Sequence, residues 1–372
     1  MAFIARLDVA LRISEKMRYV PRTLKSDHGE KSATSSWSSS DPRREVGMKL
    51  CIITPAPTGS QVGNRVTALR WSGLLGELGH KVELLTTYDG QPCDLLIALH
   101  ARKSHAAVAR FHQLYPAQPL IVGISGTDLY QDLPHSPQAQ QSLEWATRIV
   151  VLQAKAVDLL PATARTKARV IHQSAVPVAN PYPRSAATFD VCVIGHLRPV
   201  KDPLRTAWAA RLLPVTSCLR VLQVGSALSP EAAAEAEQEM RDNARYVWLG
   251  EKPQQETLRI LGGSHLLCLT SFSEGGANVI SEAIVQGVPV VSSRMDGSVG
   301  LLGEDYPGYF PVGDSTALAQ LLLRCETDRG FLQELTDRCL RLRPLFTAQA
   351  ERASWASLLA ELVPEDGENG VP

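Results

Sequence analysis

The sequence has no long apolar run, no excess of charge of either sign and few cysteines. No stretch approaches the roughly 18 consecutive apolar residues of a membrane-spanning helix, so we expect none. The 38 Lys and Arg residues balance 38 Asp and Glu residues, which argues against binding to nucleic acid or to an anionic membrane. The seven cysteines form no C-x-x-C pair, so we expect neither a disulfide framework nor a zinc site. A reducing, cytoplasmic setting fits this pattern.

The chain of 372 residues, 44% of them hydrophobic, is long enough for two domains with sizeable cores. The segment Ser32–Glu45 is rich in serine and lacks periodicity, so we predict a disordered N-terminal extension without a catalytic role. The predicted boundaries are 1–47 for the extension, 48–186 and 187–345 for two domains, and 346–372 for a C-terminal helix and tail.

Apolar runs alternate with helical patterns from Met48 onward, in two series separated by the loop Pro177–Ala187. The first series comprises Leu50–Pro55, Val82–Thr86, Leu95–Leu99, Leu120–Ile124, Ile149–Leu152 and Val170–His172. The second comprises Val191–Gly195, Leu219–Val224, Tyr246–Leu249, Leu266–Leu269 and Pro289–Val291. This alternation predicts an α/β protein with two doubly wound, Rossmann-like domains that face one cleft. Ligands bind at the carboxyl ends of such strands, so the loops there are the candidate site.

The segment Ser271–Ser293 predicts a glycine turn, a helix and a short buried strand. Glu274 lies just before the helix and Glu282 within it, so both carboxylates can face one ligand. Between them, backbone N–H groups of Gly275, Gly276, Ala277 and Asn278 lie at the start of the helix, where phosphate binds well. The pattern favours a ligand that is part polyol and part phosphate, such as a nucleotide-sugar. The alternative is a solvated helix start with acidic residues that the helix dipole favours.

The loops of the first series carry glycines and bases. Gly59 and Gly63 lead into a predicted helix, Arg65–Leu78, with Asn64 as its N-cap. This loop lacks the G-x-G-x-x-G pattern, which disfavours a dinucleotide cofactor. The later loops carry His100, Arg102, Lys103, Ser125, Thr127 and Asp128. A single histidine at a strand end is commonly structural, but His, Arg and Lys at one sheet edge favour a small anion.

Arg198 and Lys201 follow the first strand of the second series, near the expected start of a helix. Cations at that end oppose the helix dipole, so two of them indicate an anionic ligand. The alternative is a pair of solvated bases.

These motifs resemble the retaining-type glycosyltransferases of the GT-B fold. The likeness rests on G-x-x-x-x-x-K at Gly195–Lys201 and E-G-G-x-N-x-x-x-E-A-x-x-x-G-x-P-V-V from Glu274. One departure is His196, because the family often has arginine directly after the glycine. By this resemblance the C-terminal helix pattern, Gln349–Leu362, crosses back onto the first domain.

The resemblance also implies roles for individual residues. Arg198 and Lys201 would bind the donor diphosphate, Glu274 the hydroxyls of the transferred sugar, and Glu282 the ribose hydroxyls. The amides of Gly276 and Ala277 would complete the phosphate cradle. Further residues near the donor sugar would be Gly63, from the opposite domain, and His100.

A narrower resemblance is to the selenosugar synthases of selenoneine biosynthesis. It is carried by GNRVTALRW, ALHARKS, SGTDLY, VVLQ and IGHLRPVKDP. It implies transfer of a sugar, GlcNAc or glucose, from a UDP-sugar to selenophosphate, with formation of a carbon–selenium bond. The expected acceptor site comprises Asn64, Arg65, Arg70, His100, Arg102, Lys103, Thr127 and Asp128. No D-x-D pair occurs, so we expect no bridging metal and no cofactor beyond the UDP-sugar substrate.

Three alternatives stay open at this point. A GT-B glycosyltransferase with another small soluble acceptor is the main one. A nucleotide-sugar epimerase would need further carboxylates in the cleft. A non-catalytic sugar-nucleotide sensor would bind the donor without turnover. The identity of the sugar, the anomeric outcome and the oligomeric state do not follow from the sequence.

Overall fold

The structure, a computed structural model, describes residues 47–59 and 63–362. The predicted disordered extension lies outside the described residues except for Gly47, and so does the end of the predicted tail. The described chain contains two parallel sheets of six strands each, flanked by helices, as the sequence predicts for a GT-B fold.

The first sheet has the strand order β2-β1-β3-β4-β5-β6. Its strands are β1 (Lys49–Ile53), β2 (Lys81–Leu85), β3 (Leu95–Leu99), β4 (Leu120–Gly123), β5 (Arg148–Val151) and β6 (Ala168–Val170). The central strands β1, β3, β4 and β5 are almost entirely buried, which explains their continuous apolar runs. The strand order reverses between β1 and β3, and such a switch point opens a crevice at the carboxyl ends.

The second sheet has the order β12-β11-β10-β7-β8-β9. Its strands are β7 (Phe189–Ile194), β8 (Leu219–Val224), β9 (Tyr246–Trp248), β10 (Leu266–Leu269), β11 (Val290–Ser293) and β12 (Tyr309–Phe310). The sequence patterns did not predict β12, because two residues are too few to show a strand periodicity. The other eleven strands overlap the predicted apolar runs. Most of their ends differ from the predicted ones, by one or two residues.

Helices connect the strands and cover both sheets. The first domain contains α1 (Gly63–Glu77), α2 (His105–Leu114), α3 (Pro137–Trp145), α4 (Lys155–Asp158) and α5 (Ala162–Arg165). The rest are α6 (Arg205–Arg211), α7 (Pro230–Asp242), α8 (Gln254–Gly262), α9 (Asn278–Gln286), α10 (Asp296–Leu302), α11 (Ser315–Thr327), α12 (Arg329–Leu342) and α13 (Ala348–Ala360). No helix in the described ranges has the length and apolar character needed to cross a membrane.

The predicted N-cap at Asn64 is wrong, because α1 already begins at Gly63 and Asn64 lies in its first turn. The side chain of an N-cap residue accepts from the amides that follow it, and sequence alone does not show where the first helical residue falls. Asn64 is half-buried.

Helix α13 packs on the first domain and completes one side of its core. Trp355 is fully buried and meets Trp71 of α1 edge to face, with ring centroids 4.8 Å apart. Leu358 and Leu359 join the same apolar cluster as Leu50 and Ile52 of β1. Burial of apolar side chains therefore holds α13 against the first domain, which contains β1.

Candidate functional site

The second domain presents Lys201 and Glu274 as an ion pair. Lys201 ends a 3₁₀ turn, Pro199–Lys201. The Thr270 hydroxyl lies 2.9 Å from the carbonyl oxygens of both Lys201 and Asp202 and donates to them, which fixes the end of the turn. The Lys201 ammonium contacts the Glu274 carboxylate, and the Ser271 hydroxyl donates to the same carboxylate at 2.6 Å. Glu274 is thus held in one orientation before any ligand binds.

Arg198 precedes this turn and is exposed. Its guanidinium has no ion-pair or hydrogen-bond partner among the described residues, whereas Lys201 is already paired. Of the two predicted diphosphate contacts, Arg198 is therefore the one whose donors are uncommitted.

The glycine turn between Glu274 and α9 packs against the first domain. A Cβ atom on Gly275 would lie 2.3 Å from the amide nitrogen of Gly126, and one on Gly276 would lie 2.4 Å from Cβ of Leu152. Real Cβ contacts are never that short, so only glycine allows this approach. The two glycines place the second domain's turn against the loops that follow β4 and β5 of the first.

Glu282 lies in α9, and its carboxyl group is desolvated. Burial raises the pKa of Glu282 to about 7, while the guanidinium of Arg70 opposes that rise. A base of the first domain thus acts electrostatically on the carboxylate for which the family resemblance implies contact with the nucleotide ribose.

Arg70 itself is tied to the crossing helix. Its Nε lies 3.1 Å from Oε2 of Glu351, a residue that is 1% exposed. Glu351 also accepts hydrogen bonds from Trp71 Nε1 at 3.0 Å and from the backbone amide and hydroxyl of Ser174. Sequence reasoning missed Glu351 and placed Arg70 with the acceptor. The structure commits one edge of that guanidinium to a structural partner.

His100 follows β3 and is buried in a left-handed backbone conformation, with φ of 74°. Such a conformation is uncommon outside glycine and costs of order 1–3 kcal/mol. The Lys103 amide donates to Nδ1 at 3.4 Å, which leaves the ring proton on Nε2. Nε2 lies 3.6 Å from Oδ2 of Asp132. Burial lowers the pKa of His100, so the ring is neutral near pH 7 and presents an N–H donor.

Asp128 anchors the loop around His100. It is fully buried, and its carboxylate accepts from the amides of Ala101 and Ser125, at 3.1 and 2.7 Å, and from the Ser125 hydroxyl at 2.8 Å. Burial raises the pKa of Asp128, and these hydrogen bonds and His100 counteract it. Its oxygens are engaged within the protein, which is the pattern of a positioning residue rather than an acceptor contact.

The remaining predicted acceptor residues divide by their partners. Arg102 donates from Nε to Asp132 at 2.8 Å, an acid that sequence reasoning missed although it stands four residues after Asp128. Lys103 and Thr127 are exposed. Arg65 is half-buried, and its Nε has no hydrogen-bond partner within the described parts of the chain.

Several buried polar atoms of the candidate residues and their neighbours lack a partner within residues 47–59 and 63–362. They are Arg65 Nε, Arg70 Nη2, His100 Nε2, Tyr130 Oη, Asp132 Oδ2, both side-chain atoms of Gln153, and Asn278 Oδ1. Buried polar groups without partners are rare in native proteins because each costs about 1–3 kcal/mol. Arg65 and Arg70 lie in α1, Asn278 begins α9, and the others lie in the segments that follow β3, β4 and β5. Ligands of such folds bind at the carboxyl ends of the strands, so these atoms are candidate contacts for a polar ligand.

No group of three or more His, Cys, Asp or Glu side chains suited to a metal ion occurs among the residues that the structure describes.

The comparisons with known proteins agree with this architecture. Residues 182–339 match the family model described as glycosyl transferases group 1. Anabaena HepE in complex with UDP superposes with a TM-score of 0.66 at 17% identity, covering 84% of this chain and 99% of that one. Sucrose-phosphate synthase from Thermosynechococcus elongatus gives a TM-score of 0.67 at 16% identity, covering 84% and 98%. A search of the curated proteins finds no significant match.

A third similar structure is the lipopolysaccharide outer core galactosyltransferase WaaB in its apo form. It has a TM-score of 0.61 at 13% identity, and the alignment covers 85% of this chain and 100% of that one. Identities this low establish the fold and not the substrate. The chain therefore has the GT-B fold, and its second domain matches the glycosyl transferases of group 1.

Proposed function

We propose that this protein is a glycosyltransferase that takes a sugar from a UDP-sugar. The observation that carries the proposal is Glu274, oriented by Lys201 and Ser271 and pressed by the glycine turn against the loops of the first domain. The match of residues 182–339 to glycosyl transferases group 1 supports it. The similar Anabaena HepE has been determined with UDP and with UDP-glucose, which supports a uridine nucleotide.

In this proposal each donor residue has a role consistent with its surroundings. Arg198 and Lys201 neutralise the diphosphate, assisted by the amides of Gly276 and Ala277 at the start of α9. Glu274 accepts from hydroxyls of the transferred sugar, and Glu282 accepts from the ribose hydroxyls. Gly63, from the first domain, approaches the sugar and phosphate region without a side chain.

We propose selenophosphate as the acceptor, because the sequence motifs resemble those of selenosugar synthases. Selenium attacks the anomeric carbon, the carbon–selenium bond forms, and the bond from that carbon to the diphosphate oxygen breaks. UDP leaves with the electron pair, and Arg198, Lys201 and the start of α9 stabilise its charge. Selenophosphate is already anionic, so neutral His100 orients a substrate rather than removing a proton. Water then hydrolyses the phosphorus–selenium bond, which releases inorganic phosphate and leaves the selenosugar.

The acceptor anion would contact Arg65 and Lys103, which have no ion-pair partner in the described residues, and the exposed edge of Arg102. The pairing of Arg70 with Glu351 and of Arg102 with Asp132 lowers the positive charge of this pocket. That observation favours a second candidate, a UDP-sugar glycosyltransferase with a less charged small acceptor.

The test is anaerobic incubation of the protein with UDP-GlcNAc or UDP-glucose, with and without freshly made selenophosphate, read by mass spectrometry. The proposal predicts a product with the selenium isotope pattern, and UDP released only when both substrates are present. Transfer to another small acceptor, with selenophosphate inert, would support the second candidate. Bound UDP-sugar that stays intact with every acceptor would mean a sensor, and failure to bind any UDP-sugar would overturn the donor.

A further inference from the structure

Tyr130 has a buried hydroxyl that the roles above do not use. It lies in a single π-helical turn, Asp128–Asp132, which is closed by a hydrogen bond of 2.7 Å from the Leu133 amide to the Asp128 carbonyl. Leu129 and Leu133 are 3% and 4% exposed and belong to the core of the first domain. Tyr130 itself is half-buried. Asp128, at the start of the turn, is buried and accepts from the Ala101 amide, which fixes the position of the turn on the domain.

The turn lies against the second domain beside Glu274. Gly126, two residues before Asp128, is the residue whose backbone approaches Gly275. On the far side of Glu274, a Cβ on Gly297 would lie 2.1 Å from the Glu274 carbonyl oxygen, so Asp296 is adjacent as well. Burial, Asp296 and Glu274 together raise the pKa of the Tyr130 phenol. The hydroxyl is therefore protonated at neutral pH, and both carboxylates act on it electrostatically.

The Tyr130 hydroxyl has no hydrogen-bond partner in the described residues. It is a donor, whereas the neighbouring carboxylates only accept. An alcohol group both accepts and donates, so a sugar hydroxyl can accept from Tyr130 and donate to Glu274 at the same time. Water shares this ability, but an alcohol fixed on a bound sugar forms both bonds without being immobilised separately.

We infer that Tyr130 is a positioning and specificity-determining residue that donates its hydroxyl proton to one hydroxyl of the donor sugar. The inference rests on the proposed UDP-sugar function and adds a contact from the first domain to the one that Glu274 makes from the second. Because the contact spans both domains, only the closed arrangement of the cleft recognises the complete sugar.

Tyr130→Phe keeps the ring and removes the donor. We expect kcat/KM for the preferred UDP-sugar to fall roughly tenfold, the scale of a lost hydrogen bond in a buried site, with the Kd of UDP unchanged. Donors that lack single sugar hydroxyls identify the partner. One deoxy donor should be as poor for the wild type as for Tyr130→Phe, because either change removes the same hydrogen bond.

Tyr246→Phe is the matched control. Tyr246 in β9 is also a buried phenol without a partner in the described chain, but the acid that affects it is Glu239 of α7. It should leave the kinetics with every donor unchanged. A thermal unfolding midpoint for each variant checks that neither substitution acts by unfolding the protein.

Two results would overturn the inference while leaving the proposed function intact. One is a Tyr130→Phe enzyme with wild-type kcat/KM for every donor. The other is an equal loss in UDP affinity and in kcat/KM, without discrimination among deoxy donors, since a merely structural residue behaves in that way. If the wild type binds no UDP-sugar, the proposed function fails first, and the role of Tyr130 falls with it.

Discussion

Glu282 shows how a single carboxyl group can link binding to stability. Its pKa in the folded protein is about 7 against an ordinary value of 4.5, with burial as the main cause. Because the folded value is the higher one, the fold favours the protonated form. The free energy of unfolding therefore decreases as pH rises from about 4.5 to 7, and the cost is complete above pH 7. It is on the order of 3 kcal/mol.

Glu282→Gln should stabilise the unliganded protein at pH 8 and have little effect at pH 5, because the amide is never charged. Thermal unfolding at the two pH values measures this difference. The same variant should bind UDP more weakly at pH 8, by about 1.5–3 kcal/mol, since hydrogen bonds to a charged group are lost.

An equal change in the unfolding midpoint at both pH values would mean that the charge of Glu282 is not the cause. Unchanged UDP affinity would remove Glu282 from the ribose role and leave the carboxylate as a buried group without a function in donor binding.

At the scale of elements, the glycine turn before α9 matters through its contacts more than through its flexibility. Gly276 does not have a positive φ, so its backbone conformation is open to alanine. The obstacle to alanine is the space that its Cβ atom would need. That atom would meet Leu152 at 2.4 Å. Gly276→Ala should push the edges of the cleft apart, destabilise the protein by about 1–3 kcal/mol through overpacking, and reduce transfer activity.

Gly73→Ala is the control for this prediction. Gly73 lies in α1, is exposed, and a Cβ there would meet nothing within 4 Å. The substitution should stabilise the protein by about 0.5–1 kcal/mol through helix propensity, with activity unchanged. Thermal midpoints and kcat/KM of the two variants are compared. Wild-type values for Gly276→Ala would show that the turn and Leu152 are apart in solution.

The elements themselves follow well from the sequence, and their side-chain partners do not. A fully buried parallel strand such as Leu95–Leu99 must be apolar throughout, so its position is visible in the letters. His100 directly follows such a strand, and Arg198 and Glu274 lie between a strand and the next helical turn, so the pattern indicates all three as candidates. Whether a charged side chain is already neutralised depends on residues brought close only by folding. Arg70 and Glu351 are 281 positions apart, and no local pattern joins them.

At the scale of the whole molecule, the two domains are joined by contacts on both sides of the cleft. On one side Gln153 of the first domain packs so closely on Gly300 of α10 that a Cβ there would lie 1.8 Å from its amide oxygen. On the other, α13 returns from the second domain to the first, where Glu351 is enclosed by Arg70, Trp71 and Ser174. The return to the first domain is also held near residue 346, where the Ala175 amide donates to the Phe346 carbonyl at 3.0 Å.

Glu351 is the test of whether this connection holds the molecule together. Glu351→Gln removes the charge and leaves the half-buried Arg70 guanidinium without this counter-ion, which we expect to cost on the order of 3 kcal/mol. Arg352→Ala, one residue further along α13, breaks an exposed ion pair with Glu77 and should cost less than about 1 kcal/mol. The measurement is the thermal midpoint of each variant with and without UDP.

The pH dependence of stability in Glu351→Gln shows whether Glu351 connects the two domains or only stabilises the first domain locally. Since Arg70 also interacts with Glu282, its release from Glu351 should free it to pair with Glu282 and lower the pKa of that carboxyl. Glu351→Gln should then lose stability at all pH values while losing most of the pH dependence assigned to Glu282. A destabilised variant that keeps the full pH dependence would show that Arg70 stays in place without Glu351, and that α13 supports the first domain without reaching the donor site.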